Sequence, residues 1–284
     1  MGMIGNTPIL GTATPAQISD VANSSTGYFQ LPSGTTAQRP SLPANGMQRF
    51  NTDLKYTEEY LAGAWFAISN VFAAEGGTVT TSGGYKHHTF TSSGTFTVLS
   101  GTANVDFLVV AGGGGGGGRA GGGGGAGGYL SGSTSISVSM MSIVIGAGGF
   151  AGPPDTYAGY GANSSALGFT AIGGGRSAGG NTFAGGAGGS GGGGSYGGGG
   201  GSGTAGQGVA GGGSTITNYN NGGGGGASEV GETGTSSYIG SGGDGKQWLK
   251  GTDYAGGGGG GGHAPNTNQG YGGLGGGGNG GTYN

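Results

Sequence analysis

The chain offers few residues that could do chemistry, and their spacing argues against an enzyme. Gly240 to Lys246 fits the pattern G-x-x-x-x-G-K of a phosphate-binding loop. Such a loop continues with Ser or Thr, which reaches Mg²⁺, and with a helix whose N-terminus faces the phosphates. Here Gln247 follows, and Gly251 comes too soon for that helix. We therefore predict no nucleotide site.

The remaining catalytic and metal-binding candidates are sparse. His87 and His88 are adjacent, so on a strand they point to opposite faces, and one chain cannot easily chelate a metal with both. In a trimer, one His from each chain could still meet at the axis. The eleven Asp and Glu residues are scattered, and no spacing places two of them across a cleft as a glycosidase requires. Without cysteine there is also no thiol chemistry, so we expect no catalytic residue, no metal site within one chain and no cofactor.

Aromatic residues in the insertions between glycine runs suggest binding instead. Tyr and Trp supply contact area, and Asn, Ser and Gly supply adaptable hydrogen bonds, as they do in antibody binding loops. The alternative is that the rings pack onto the glycine runs and seal their edges. We predict a receptor-binding set drawn from these insertions: Tyr157, Tyr219, Tyr238, Trp248, Tyr254 and Tyr271.

Glycine dominates the elements that would carry these residues, with 87 of 284 positions. A buried-looking strand, VDFLVV, runs directly into seven consecutive glycines, Gly112 to Gly118. A flexible linker, silk-like sheets and collagen are alternatives, but collagen needs glycine at every third position and abundant proline, and the chain has only eight prolines. We favour polyglycine II, a bundle of left-handed helices with three residues per turn. In such a bundle the free N–H groups bond to neighbouring helices.

The fold class that follows is all-β with extended irregular structure and almost no α-helix. We predict an N-terminal arm over 1–25, a β meander and linker over 26–84, a small β domain over 85–150 and a polyglycine-II bundle with exposed loops over 151–284. In the meander, Asn45-Gly46 is a hairpin-type turn pair. Branched and aromatic residues predict five strands in the third segment: Tyr85 to Thr91, Gly94 to Leu99, Val105 to Val110, Ser135 to Met140 and Ser142 to Ile145.

Three features resemble proteins of bacteriophage particles. The pieces LPSGTTAQRP, GMQRFNTD and EEYLAGAW, in this order, resemble a hairpin module of tail-fibre proteins that commonly forms interlocked trimers. The strand ending in LVVAGGGGGGG resembles a glycine-rich domain of many phage fibres and of environmental bacterial surface proteins. The alternation of glycine runs and insertions resembles the adhesins of some large tailed phages, in which loops between polyglycine helices contact the host.

The resemblance implies a phage virion fibre or tip adhesin that is not an enzyme. It implies a homotrimer attached through the N-terminal arm to other tail or fibre proteins, on the exterior of the virion. Its partner would be a host cell-surface glycan or outer-membrane protein. The net charge of −3 gives no basic footprint for nucleic acid, and no apolar run approaches the length of a membrane span. A purely structural fibre or decoration protein, a self-assembling extracellular glycine-rich filament and a fibre-borne depolymerase are the alternatives.

Overall fold

A computed structural model describes residues 31–68, 72–180, 184–215, 220–249, 251–263 and 269–283. These residues form fifteen strands and one short 3-10 turn, and no α-helix occurs among them. The predicted fold class, all-β with extended irregular structure, is confirmed. The described part of the chain also contains no helix that could cross a membrane. The chain divides into two compact units, one ending at residue 69 and the other beginning at residue 70.

The first unit is a four-stranded sheet with the spatial order β1-β2-β3-β4. Its strands are β1 (Ser33–Gly34), β2 (Gln48–Asn51), β3 (Tyr56–Leu61) and β4 (Ala64–Ala67). β1 pairs with β2 in parallel, whereas β2, β3 and β4 are antiparallel. The turn between β3 and β4 places Ala62 and Gly63 at φ 47° and 92°. Two consecutive positive values are what a tight type I′ hairpin requires.

The prediction that Asn45-Gly46 forms a hairpin turn is wrong. The pair lies before β2, and the preceding strand, β1, runs parallel to β2, so no hairpin joins them. The N–H of Gly46 donates to the Tyr60 carbonyl at 2.8 Å, and Asn45 Oδ1 accepts from the N–H of Ala62 at 3.0 Å. The pair therefore turns the chain and fastens it to the β3–β4 hairpin.

A buried carboxylate anchors this small sheet. Glu58 is fully buried, and its carboxylate accepts hydrogen bonds from Arg39 Nη2 at 2.6 Å and Asn51 Nδ2 at 3.1 Å. Arg49 Nε lies 3.5 Å from the other carboxylate oxygen. Burial by itself raises the pKa of Glu58, but the hydrogen bonds from Arg39 and Asn51 and the charges of both arginines outweigh it. The pKa therefore lies below its ordinary value.

Two long strands form the base of the second unit. β8 (Gly94–Val110) and β9 (Tyr129–Ile143) pair antiparallel, with β5 (Ala73–Glu75) on the free edge of β8. The hairpin of β6 (Thr78–Ser82) and β7 (Tyr85–Thr89) precedes them. The predicted breaks at 100–104 and at 141 are wrong. Both strands continue because each is paired along its length, and the register shift between Val98 and Thr102 absorbs the irregularity there.

Short strand pairs complete the unit. β10 (Ser164–Ala166) pairs with β11 (Phe169–Ala171), and β12 (Lys246–Trp248) pairs with β13 (Thr252–Tyr254). β14 (Gly262–His263) lies parallel to β15 (Thr282–Tyr283). Small apolar clusters form along the long hairpin, the first of them around four buried residues: Phe96, Val98, Ile136 and Ile143.

The glycine runs have the hydrogen-bond period of polyglycine II. Between the runs 111–118 and 121–128, N–H groups donate to carbonyls in steps of three residues. The bonds, at 2.8–3.1 Å, are Ala111 to Gly128, Gly114 to Gly125 and Gly117 to Gly122. A β-ladder would follow the two-residue alternation of a strand, whereas three residues per turn is the period of the polyglycine-II helix. The runs are therefore helices laid side by side and joined by their main chains.

The run 121–128 lies at the centre of this bundle, and every residue in it is buried. It exchanges hydrogen bonds with five neighbouring runs: 111–117, 172–178, 190–193, 222–225 and 258–261. A Cβ on Gly123 would lie 2.0 Å from the Gly258 carbonyl oxygen, and one on Gly124 would lie 2.1 Å from that of Gly114. No glycine from 121 to 128 has a positive φ. Glycine is needed here because neighbouring backbones leave no room for a side chain.

Candidate functional site

The predicted receptor-binding aromatics lie in different surroundings. Tyr219 lies outside the described residues. Tyr238 and Tyr271 are 49% and 64% exposed and stand at the edges of glycine runs. The Tyr271 carbonyl accepts from the N–H of Gly242 in a neighbouring run. The Tyr238 carbonyl closes a local turn with Thr235, and Gly240, two residues later, donates to the Asn221 carbonyl. These two rings therefore combine an anchored main chain with an accessible side chain, which suits a contact surface.

Trp248 and Tyr254 are half-buried and serve packing. They belong to the hairpin β12–β13 and pack against a cluster of Ala126, Tyr129 and Ala255. The Tyr129 hydroxyl donates to the carbonyl of Gln247 at 3.1 Å, which fixes the hairpin to the bundle. These rings seal an edge of the glycine runs, the arrangement that the sequence left open as the alternative to binding.

Tyr157 forms part of a cluster that the sequence did not predict. The guanidinium carbon of Arg176 lies 3.6 Å from the centroid of the Tyr157 ring and 5.1 Å from that of Tyr160. Tyr160 is 52% exposed. We name Tyr157, Tyr160 and Arg176 the arginine–tyrosine cluster. The two tyrosines are three residues apart, one turn of an extended left-handed helix, and that spacing was the available sequence signal.

The arginine of this cluster has no acidic partner among the described residues. Its Nε is buried without a hydrogen bond to any of them. The nearby insertion is held separately, because Asp155 pairs with Arg119 at 2.6 Å. A guanidinium held against aromatic faces is oriented to donate paired hydrogen bonds to a carboxylate or phosphate. Because Nε is buried, only the terminal Nη groups remain to meet an acidic group on a partner, which makes the cluster a candidate contact site that the aromatic set alone did not suggest.

The other sequence candidates have structural surroundings. His88 Nδ1 lies 2.8 Å from the Gly76 carbonyl, and its ring meets Phe96 edge-on at 5.1 Å. Within the described ranges, no group of three or more His, Asp or Glu side chains is placed to hold a metal. In the stretch that matches a phosphate-binding loop, the N–H groups of Gly243 and Gly245 donate to other runs. Strand β12 begins at Lys246, the last residue of this stretch, where a phosphate-binding loop has a helix.

Comparison with known families identifies the larger part of the chain. The model of a glycine-rich domain matches residues 89–284. The chain belongs to the glycine-rich domain family. The matched region contains all of the long hairpin and all of the polyglycine-II bundle, so the arginine–tyrosine cluster, Tyr238 and Tyr271 lie within the glycine-rich domain. Searches of curated proteins and of solved structures gave no match.

Proposed function

We propose that this protein is a phage virion fibre or tip adhesin, located on the exterior of the particle, that displays host-recognition residues on a rigid glycine-rich domain. The observation that carries the proposal is the three-residue hydrogen-bond ladder, which fixes the runs from which Tyr238 and Tyr271 project. Glycine has no side chain with which to discriminate a receptor, so specificity must come from the residues between runs. A rigid support lowers the entropy that these residues lose on binding.

The chemistry of the candidate site favours a host surface molecule that carries sugar faces or apolar pockets together with acidic groups. Exposed tyrosines stack on sugar faces or fill apolar pockets. The arginine–tyrosine cluster adds a cation without an acidic partner among the described residues, which suits a carboxylate or phosphate on a glycan or outer-membrane protein. Weak individual sites suffice for an adhesin, because several copies on one particle multiply the avidity.

Adsorption of particles to host cells tests the proposal. We expect Tyr238→Ala and Tyr271→Ala to reduce adsorption while the protein is incorporated normally into particles. The matched control is Tyr85→Ala, an exposed tyrosine on β7 that lies before the bundle. The adhesin proposal would be rejected if three variants were incorporated normally and particles carrying them still adsorbed normally: Tyr238→Ala, Tyr271→Ala and Arg176→Gln. A structural role would then remain.

A purely structural fibre or decoration protein is the second candidate, and the packing of Trp248 and Tyr254 favours it. Rings that seal the bundle serve stability in any glycine-rich protein, whether or not it binds a receptor. Under this alternative Trp248→Ala lowers thermal stability and incorporation, and the exposed tyrosines can be changed without effect. A self-assembling extracellular filament would instead show polymerisation of the purified protein without other virion components.

The first unit is proposed to form a homotrimer. One face of its sheet covers the Glu58 network, while Phe50, Leu61 and Phe66 share the opposite face and are exposed. A module this small buries little apolar surface, so sharing that face among chains would stabilise it. Light scattering of the intact protein should give the mass of a trimer, and Phe66→Ser should weaken the association of the three chains. A monodisperse monomer would reject this assembly. The proposed attachment through residues 1–25 concerns a segment outside the described residues.

A further inference from the structure

A groove with walls of glycine backbone runs along the bundle. Its volume is about 660 Å³, and the lining comes chiefly from four runs: 113–117, 121–127, 256–261 and 275–281. A Cβ placed on Gly116, Gly278 or Gly281 would meet nothing within 4 Å. At most other glycines of the bundle a Cβ would meet a neighbouring backbone, so this groove is a gap in dense packing.

Unused N–H groups line the groove at a regular spacing. The N–H groups of Gly121, Gly124 and Gly127 make no hydrogen bond with any described residue, although all three glycines are buried. Gly113 and Gly116 form a second such row on the adjoining run. In the runs 222–226 and 256–262, by contrast, every N–H donates to a neighbour. Buried N–H groups nearly always find an acceptor, and leaving one unmet costs free energy.

The spacing of these donors specifies the acceptor. Donors at every third residue of a polyglycine-II helix recur about every 9 Å along its axis. The carbonyls of an extended peptide in the same conformation recur at the same interval. The walls are chiefly glycine backbone, and Arg119, Asn279 and Thr282 are the polar side chains among the lining residues, so most of the surface is suited to another backbone rather than to a sugar or a base. The walls admit a backbone at the short distance seen elsewhere in the bundle.

We propose that the groove binds an extended glycine-rich segment of another polypeptide as an additional polyglycine-II helix. The segment accepts hydrogen bonds from Gly121, Gly124 and Gly127. Positions of the segment against the walls must be glycine, because a Cβ there would meet carbonyl oxygens as one on Gly124 would. Every third position faces solvent and can carry a side chain. The inference concerns assembly with a partner chain and is independent of receptor binding.

The test uses the full-length protein and a soluble peptide of four Gly-Gly-Ser repeats, long enough to span the row. Without peptide, we expect the amides of Gly121, Gly124 and Gly127 to exchange with solvent faster than those of Gly122 and Gly125, which are hydrogen-bonded. Saturating peptide should slow exchange at the three amides by at least about tenfold. A Gly-Val-Ser repeat of equal length should not, because its valines meet the walls.

Two variants are designed to obstruct the groove. Gly278 and Gly281 line it, and a Cβ on either would meet nothing within 4 Å, so we expect Gly278→Leu and Gly281→Leu each to weaken peptide binding at least about tenfold. Gly199→Leu is the matched control, because its Cβ also meets nothing within 4 Å but it does not line the groove. Full binding by both groove variants would overturn the proposal, as would the absence of any protection at about 1 mM peptide. If the three amides were already protected from exchange in the peptide-free protein, and dilution removed that protection, the groove would be occupied by a second copy of this chain. That result would overturn the proposal of a segment from another polypeptide.

Discussion

Adding one methyl group at Gly224 should destabilise the second unit far more than a surface change does. A Cβ there would lie 2.0 Å from the Gly124 carbonyl oxygen and 2.5 Å from its carbon. No real Cβ tolerates contacts under 3.0 Å, so the two runs must separate by about 1 Å. Separation breaks the hydrogen bonds that join them, Gly123 to Gly222 and Ala126 to Gly225, both at 3.0 Å.

The magnitude follows from these two bonds. Each buried hydrogen-bonding group that loses its partner lowers the free energy of unfolding by about 1–3 kcal/mol. Alanine reduces the entropy of the unfolded chain relative to glycine, which offsets about 0.4–1 kcal/mol of this loss. The net loss for Gly224→Ala is about 3 kcal/mol. For a unit of this size that lowers Tm by about 6–12 °C. Differential scanning calorimetry of the full-length protein measures it directly.

Alanine at two further glycines should lower the Tm less than alanine at Gly224. At Gly115 a Cβ would lie 2.0 Å from the carbonyl oxygen of Phe150, whose residue is exposed and can move outward, so the loss should be smaller. Gly199 has nothing within 4 Å of the added atom, so alanine there should leave Tm unchanged or raise it slightly. Equal melting of all three variants would refute the account of the runs as packed helices.

Three other changes test separate parts of the fold. Because the pKa of Glu58 is lowered in the folded state, its contribution to stability is present above the unfolded value of about 4.3 and is lost as pH falls below it. In a Trp248→Phe background, the fluorescence of Trp65 should therefore report that the first unit becomes less stable in acid. Glu58→Gln should remove this pH dependence, and it should also lower the stability of the first unit greatly at neutral pH. Ala62→Asn should raise the free energy of unfolding of the first unit in urea by about 1 kcal/mol, since asparagine tolerates the positive φ of the turn better than alanine. Ser190→Ala should lower the Tm of the second unit by about 2–4 °C, because its buried hydroxyl donates to a main-chain carbonyl within the bundle; an unchanged Tm would show that this bond contributes nothing net.

The type of local structure could be predicted from the residues alone. A residue without a side chain, repeated seven times after a strand, leaves every N–H free and every face open to another backbone, which favours polyglycine II. Alternating branched residues likewise predicted strands within β8 and β9. The individual surroundings of the aromatic residues could not be read from their types, since Tyr238 and Tyr271 are exposed whereas Trp248 and Tyr254 pack against the bundle.

Which groups contact one another depends on how the chain packs in three dimensions. The burial of Glu58 depends on Arg39 and Arg49, which reach it from separate parts of the first unit. Tyr157 meets Arg176 only because two glycine runs lie side by side. The groove arises in the same way, since no local pattern marks Gly121, Gly124 and Gly127 as unlike their neighbours. Identical glycine runs carry no side-chain code for their partners, so the neighbours of each run are set by how the whole chain packs.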